Sequence, residues 1–368
     1  MPLVPPYIEN LRPYEPGRSI DEVRQAYGLT RVAKLASNEN PLGPSLAALA
    51  AIAKNIGSVN YYPNGGLDLR VRLAEKFNLK VGNVIAGSGS DSIMAAIVRA
   101  YLCPDDEVLT TEAAFIGFQV QARASGVAYR TVPYRDWRYD LPALAAAITE
   151  KTKIIYLANP DNPTGTIFSK EEFEQFYRLV PQRVLIILDE AYFEYAKANA
   201  LYPDSLDYRY DNIVTLRTFS KLYGLAGLRV GYGFGHEDVI TNLLKVKLPF
   251  EPGALAQIAG IAALDDREFV ERTLELNARG LRLISDSLKA MGIDVVPSDA
   301  NFIMVPLEDA REAQWLTEEL LRKGVIVRPV SAFGLPHCVR ISTGTDEDNR
   351  MFIDAMEGLY LKEAKCRH

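Results

Sequence analysis

Lys221 stands in TFSKLYGLAGLR, residues 218–229, two residues after Phe219 and just before an apolar, glycine-punctuated run. An amine in such surroundings is a candidate nucleophile, because desolvation favours its neutral form. Arg229, eight residues on, offers an anion a planar and permanent charge, and Thr218 and Ser220 add hydroxyl donors. Asp189 closes the apolar run VLIILDEAY, where a carboxylate is costly unless paired; a cationic ring nitrogen is one such partner. Tyr192, three residues further, supplies a phenol, and ANPDNPTGT puts the amide of Asn162 on a rigid turn. In GSGSDS, residues 87–92, the glycines allow close backbone approach, and the helix that follows points free N–H groups outward from Ser90 and Asp91. The dinucleotide spacing G-x-G-x-x-G is absent. Each motif alone has a structural reading: a helix-capping Asp189, a tight turn at 87–92. Together they describe an amine reagent, a partner for a ring nitrogen and a phosphate cradle, which is a site for pyridoxal phosphate.

These residues need elements that bring them to one edge. NVIAGSGSD, EVLTT, TKIIYLANP, VLIILDEAY, NIVTLRTFS and LRVGYGFG read as strands, separated for the most part by helical stretches. That order predicts an α/β fold with a mostly parallel sheet covered by helices, and ligands bind such sheets beyond the carboxyl ends of the strands. From about Asp266 the texture changes. A long amphipathic helix, FVERTLELNARGLRLISDSLKAMG, precedes short strands GIDVVPS, ANFIMVP, GVIVRPV and CVRIST around a helix AREAQWLTEELLRKG. This predicts a smaller α+β domain over 266–368, a large domain over 36–265, and a proline-rich arm over 1–35 that lies over the other two. In CVRIST, Val339 and Ile341 share one face, so Arg340 points to the other and can meet a cleft.

Composition narrows the alternatives. The 368 residues are 48% apolar and 24% charged, ordinary for a globular protein, and the net charge of −6 offers no basic stripe for nucleic acid. There is no apolar run of membrane-spanning length, and the proline-broken start does not read as a secretory signal. The three cysteines, widely spaced, fit a reducing cytoplasm better than a disulfide framework, and the three histidines do not join them at metal-ligand spacing.

ANPDNPTG, LDEAYFEY and TFSKLYGLAGLRVGYG, in this order and spacing, resemble the fold-type I aminotransferases. KLASNENPLGPS, YYPNGG and CVRISTGT narrow the resemblance to the histidinol-phosphate aminotransferase branch, over nearly the whole chain. The resemblance implies that Lys221 is the Schiff-base lysine, that Asp189 pairs with the pyridine nitrogen, and that Asn162 and Tyr192 meet the phenolic oxygen. It implies that Phe115 stacks on the cofactor and that Arg229, Thr218, Ser220 and the backbone of Ser90 and Asp91 hold its phosphate. It further implies a homodimer in which Tyr62 reaches the partner's phosphate, and an Arg340 that clamps the substrate anion, helped by Arg328 and Tyr14. The implied reaction moves an amino group from histidinol phosphate to 2-oxoglutarate in histidine biosynthesis; an aromatic aminotransferase and a threonine-phosphate decarboxylase use the same scaffold. The sequence departs from the family pattern at Ser88 and Ser92, at Phe115 where tyrosine is frequent, and at Glu251-Pro252-Gly253.

Overall fold

The computed structural model describes residues 3–11, 13, 17–208 and 210–366, with side chains described to residue 360. In chain order the strands of its first part are β1 (Ala33–Lys34), β2 (Val84–Gly87), β3 (Glu107–Thr111), β4 (Ala128–Val132), β5 (Thr152–Ala158), β6 (Leu185–Asp189), β7 (Ile213–Thr218) and β8 (Gly231–Gly235). All but β1 form one seven-stranded sheet in the order β2-β8-β7-β6-β5-β3-β4. The pairs from β4 through β7 are parallel, and β8 is antiparallel to both β7 and β2. A parallel partner needs a crossover helix. The link between β7 and β8 holds only the short turn Ala226–Leu228, so the chain returns antiparallel.

The central strands are buried on both faces, which is why β6 reads as an unbroken apolar run. On one face Ile154, Tyr156 and Ile187 pack with Ile93, Ile97 and Phe118. On the other, Ile155, Leu157, Ile186 and Leu188 pack with Phe173 and Phe176. Since β2, β5, β6 and β7 run in one direction, the loop after Gly87 and the residues after Ala158, Asp189 and Thr218 emerge at a single edge.

The remaining strands are β9 (Phe302–Pro306), β10 (Val325–Ile326), β11 (Arg328–Pro329) and β12 (Cys338–Ser342). They form an antiparallel sheet β11-β12-β9 and a parallel pair β1-β10. Helices Arg267–Ala290, Ala310–Arg322 and Asp346–Cys366 complete this unit, with Leu35, Ile284, Ile303, Leu316, Val339 and Phe352 in one core. GIDVVPS, expected as a strand, makes only the single bridge Val296 to Met304, because Pro297 has no N–H to extend a ladder. GVIVRPV divides between two partners, β1 and β12. Within the first thirty-six residues, the helix Ile20–Tyr27 is held by a Ser19–Glu22 capping box, and Val23, Val32 and Ala36 pack on Leu321 and Ile326 of the C-terminal unit.

Behind the site edge, β6 and β7 are tied by a buried ion pair. Arg217 Nε donates to Glu190 Oε2 at 2.9 Å, its Nη2 donates to Asp204 Oδ1 at 2.8 Å, and its guanidinium lies 3.3 Å from the Phe193 ring centroid. Replacing Arg217 with methionine strands the Glu190 carboxylate among apolar side chains. The expected loss is about 3–5 kcal/mol of unfolding free energy, read as a lower urea midpoint.

Candidate active site

Three walls close a cleft at the carboxyl edge of the sheet. The first is the loop entering helix Ser90–Tyr101. Its N-cap is Gly89, at φ +80, and no side chain caps the helix, so its first N–H groups face the cleft unclaimed by a capping side chain. A Cβ on Gly231 would sit 2.4 Å from the Ser90 nitrogen, so glycine there lets β8 lie directly against this loop. Arg229, itself left-handed at φ +50, donates from Nη2 to Asp91 Oδ2 at 2.8 Å and from Nη1 to Ser220 Oγ at 3.3 Å. Thr218 Oγ1 accepts the Ser220 N–H at 3.1 Å. This wall concentrates donors and positive charge suited to a phosphate.

The floor is Asp189. Tyr156 donates its hydroxyl to Oδ2 at 2.7 Å, and the Ala191 N–H donates to Oδ1 at 3.1 Å. Burial nevertheless pushes the carboxyl up to about 6, against these two bonds and the pull of Lys221. Its direct donors are neutral, so a cationic ring nitrogen would supply the charge the carboxylate lacks. Phe115, at the start of helix Ile116–Ala124, presents its half-buried ring to the same cleft.

The third wall holds the amine and its neighbours. Lys221 Nζ donates to the Ser37 carbonyl at 3.3 Å and lies 5.8 Å from the Tyr192 ring centroid. Burial pulls this ammonium down to about 8; the charges of Arg340 and Arg229 reinforce the shift and Glu39 opposes it. Burial raises the Tyr192 phenol to about 12, although Arg340 and the Asn38 amide favour its ionised form. Arg340 is 5% exposed; Nη1 donates to Asn162 Oδ1 at 2.5 Å and Nη2 to the Ala36 carbonyl at 2.8 Å. With its oxygen turned to Arg340, Asn162 has its amide nitrogen left to donate.

Of the other expected residues, one adjoins this cluster, one lies on the surface and one lies outside the described residues. Arg328 on β11 is the antiparallel register partner of Arg340, so the two side chains share one face of the small sheet. Tyr62 is 81% exposed and stacks on Phe250 at 4.3 Å rather than reaching the cleft of its own chain. Tyr14 lies outside the described residues. Two site residues escaped the sequence reading. Tyr156 had a legible signal, since it lies two residues before Ala158, the register partner of Asp189, on the same face of the neighbouring strand. Asn38, which donates to the Tyr192 hydroxyl at 2.8 Å, had none beyond its place in a quoted motif.

The sheet order, the lysine beyond β7 and the carboxylate ending β6 define the α/β fold of the fold-type I aminotransferases. The chain belongs to the aminotransferase class I and II family, whose model matches residues 30–356. It is 42% identical over 359 residues to histidinol-phosphate aminotransferase 2 of Pseudomonas fluorescens, covering 96% of each chain. It is also 42% identical over 368 residues to histidinol-phosphate aminotransferase 1 of Thiobacillus denitrificans, covering 99% of this chain and 95% of that one. Among solved structures, the histidinol-phosphate aminotransferase of Sinorhizobium meliloti in complex with pyridoxal-5'-phosphate superposes with a TM-score of 0.89 at 29% identity, covering 98% of both chains.

Proposed function

We propose that this enzyme uses pyridoxal phosphate to transfer the amino group of histidinol phosphate to 2-oxoglutarate, as a cytoplasmic step of histidine biosynthesis. The carrying observation is the convergence of a depressed amine, a buried carboxylate and a buried guanidinium, Lys221, Asp189 and Arg340, on one cleft. The choice of donor follows from the relatives at 42% identity over nearly full length.

The residues fit the cofactor. The backbone of Ser90 and Asp91 with Thr218, Ser220 and Arg229 would hold its phosphate, Phe115 its ring face, Asp189 its ring nitrogen, and Asn162 and Tyr192 its ring oxygen. When bound, it supplies an electron-withdrawing ring that spreads negative charge from the donor's α-carbon and carries the amino group between substrates. Asp189 keeps a proton on the ring nitrogen, which a carboxylate does and a neutral acceptor does not. Lys221 is the amine that would hold the cofactor covalently, and its neutral form would take the proton from the donor's α-carbon. Arg340 must accept a phosphate from one substrate and a carboxylate from the other, and a planar guanidinium bonds either in a bidentate fork. Replacing Arg340 with glutamine is expected to lower kcat/KM for both substrates by about 10²–10³-fold, mostly through KM.

A second copy of the chain would cover the face carrying Leu46, Ile56, Val59, Tyr62 and Phe250, large apolar side chains that stand exposed. Tyr62, stacked on Phe250 at its edge, is the residue placed to enter the partner's cleft. Sedimentation equilibrium is expected to give twice the chain mass of 40.9 kDa.

The test of function is a panel of donors with 2-oxoglutarate: histidinol phosphate, phenylalanine, tyrosine and aspartate, with glutamate as readout. Histidinol phosphate should saturate at a concentration lower by roughly tenfold or more. Preference for an aromatic amino acid, or carbon dioxide release from threonine phosphate without glutamate formation, overturns the reading.

A further inference from the structure

Asn38, in the segment that crosses between the two units, is engaged through both its backbone and its side chain. It is 1% exposed and left-handed at φ +56. Its N–H donates to Ser342 Oγ at 2.9 Å, and its carbonyl accepts from Asn301 Nδ2 at 3.0 Å. Its Oδ1 accepts from Ser342 Oγ at 2.7 Å, and its Nδ2 donates to the Tyr192 hydroxyl oxygen at 2.8 Å.

Hydrogen counting fixes the direction of every one of these bonds. A serine hydroxyl has one hydrogen. Asn38 Oδ1, which can only accept, faces the Ser342 hydroxyl, so the serine hydrogen goes to it while the serine oxygen accepts the Asn38 N–H. That bond sets the orientation of the amide and leaves Nδ2, a donor only, facing Tyr192. The Tyr192 oxygen therefore accepts from Asn38, and its own hydrogen is left to donate elsewhere. The ring itself is held edge-on against Phe302 at 5.2 Å between centroids, and Tyr192 lines the cleft beside Asn162, Asp189 and Lys221.

We propose that Asn38 is a positioning residue that fixes the Tyr192 hydroxyl as a hydrogen-bond donor toward the ring oxygen of bound pyridoxal phosphate. The inference rests on the functional reading above and adds a polarity to it. It also ties that polarity to β12: Ser342, which orients the Asn38 amide, lies two residues from Arg340 on the same strand. The strand that carries the substrate clamp thus also sets the direction of the Tyr192 proton.

Polarity separates this role from a packing role. N38D keeps the shape but at pH 8 presents a carboxylate that takes the Tyr192 hydrogen for itself. N38G removes the side chain, keeps the left-handed backbone and leaves that hydrogen free. Two quantities are measured on the full chain: the affinity of the cofactor-free protein for pyridoxal phosphate, and the pH midpoint of the bound cofactor's absorbance. N38D is expected to weaken binding about tenfold and to raise the midpoint by about one pH unit, the size of one lost hydrogen bond to a charged oxygen. N38G is expected to weaken binding by about threefold, less than N38D, because the hydroxyl keeps its hydrogen but is no longer held in one direction. In a Y192F background N38D should add less than about twofold, because the hydroxyl it acts through is gone.

If N38D does not fold, S342A replaces it in the same cycle, since loss of the Ser342 hydroxyl frees the amide to turn; its effect must likewise vanish in Y192F. N38G as damaging as N38D, or an effect undiminished in Y192F, overturns the proposal. An unsubstituted protein that binds the cofactor beside an N38D that behaves identically overturns this inference alone. An unsubstituted protein that binds no cofactor overturns the functional reading and this inference with it.

Discussion

Lys221→Ala should lower the amino-transfer rate by at least about 10⁴-fold while leaving the fold intact. Two catalytic contributions end on the same nitrogen, covalent capture of the cofactor and proton removal from the donor's α-carbon, and the second alone is worth about 10²–10⁴. Stability moves little, because the hydrogen bond described for this amine goes to the Ser37 carbonyl at 3.3 Å. Linkage gives the sign of what remains. Burial lowers this ammonium to about 8, so the folded state carries its full desolvation cost below pH 8 and sheds it as pH rises from about 8 to the unfolded value near 10.5. The cofactor-free variant should therefore melt no lower than the unsubstituted protein at pH 7. The same shift predicts that Lys221 reacts with a small aldehyde half-maximally near pH 8, about two units below an ordinary lysine. Mass spectrometry after reductive trapping across pH reads both the residue and the midpoint.

Asp189→Asn should cost about 10²–10⁴ in rate and none of the stability. An amide can accept a hydrogen bond from the ring but cannot hold a cationic ring nitrogen. In the cofactor-free protein the carboxylate is a liability. Its pKa is raised by burial to about 6, so ionisation costs stability as pH rises from the unfolded value near 4 through 6. A shift of about 2 units corresponds to roughly 2–3 kcal/mol, which the asparagine does not incur. Cofactor-free D189N should therefore melt at or above the unsubstituted protein at pH 8, and the difference should shrink below pH 4. A variant inactive through misfolding would melt lower at both values, so the thermal scan separates the two explanations.

What the sequence revealed follows from how locally each feature is encoded. Asp189, Thr218 and Lys221 stand at or just beyond the ends of apolar runs, and a run long enough to be a buried strand marks its own carboxyl end. The loop at 87–92 and the turn at Asn162 carry their glycine and proline signals within a few residues. The direction of β8 was less visible, since it depends on the lack of a crossover helix between 219 and 230. Asn38 was beyond reach because its partners are 154 and 304 residues away, at Tyr192 and Ser342. Arg217 was hidden for a related reason. An arginine in an apolar strand reads as an exception until Glu190, just beyond the end of the adjacent strand, is known to lie behind the sheet with it. Arg340 shows the converse: alternation along CVRIST turned it from its neighbours, but only the fold brought Asn162 within 2.5 Å.

The assignment of the reactive amine is the claim on which the rest depends, and it can be read without any substrate. The purified protein is saturated with pyridoxal phosphate, reduced with borohydride and digested, and the pyridoxyl-bearing peptide is sequenced by mass spectrometry. The modification should fall on Lys221, at close to one per chain, and should be lost in K221A. A pyridoxyl group on any other lysine, or stoichiometric labelling that survives in K221A, contradicts the account.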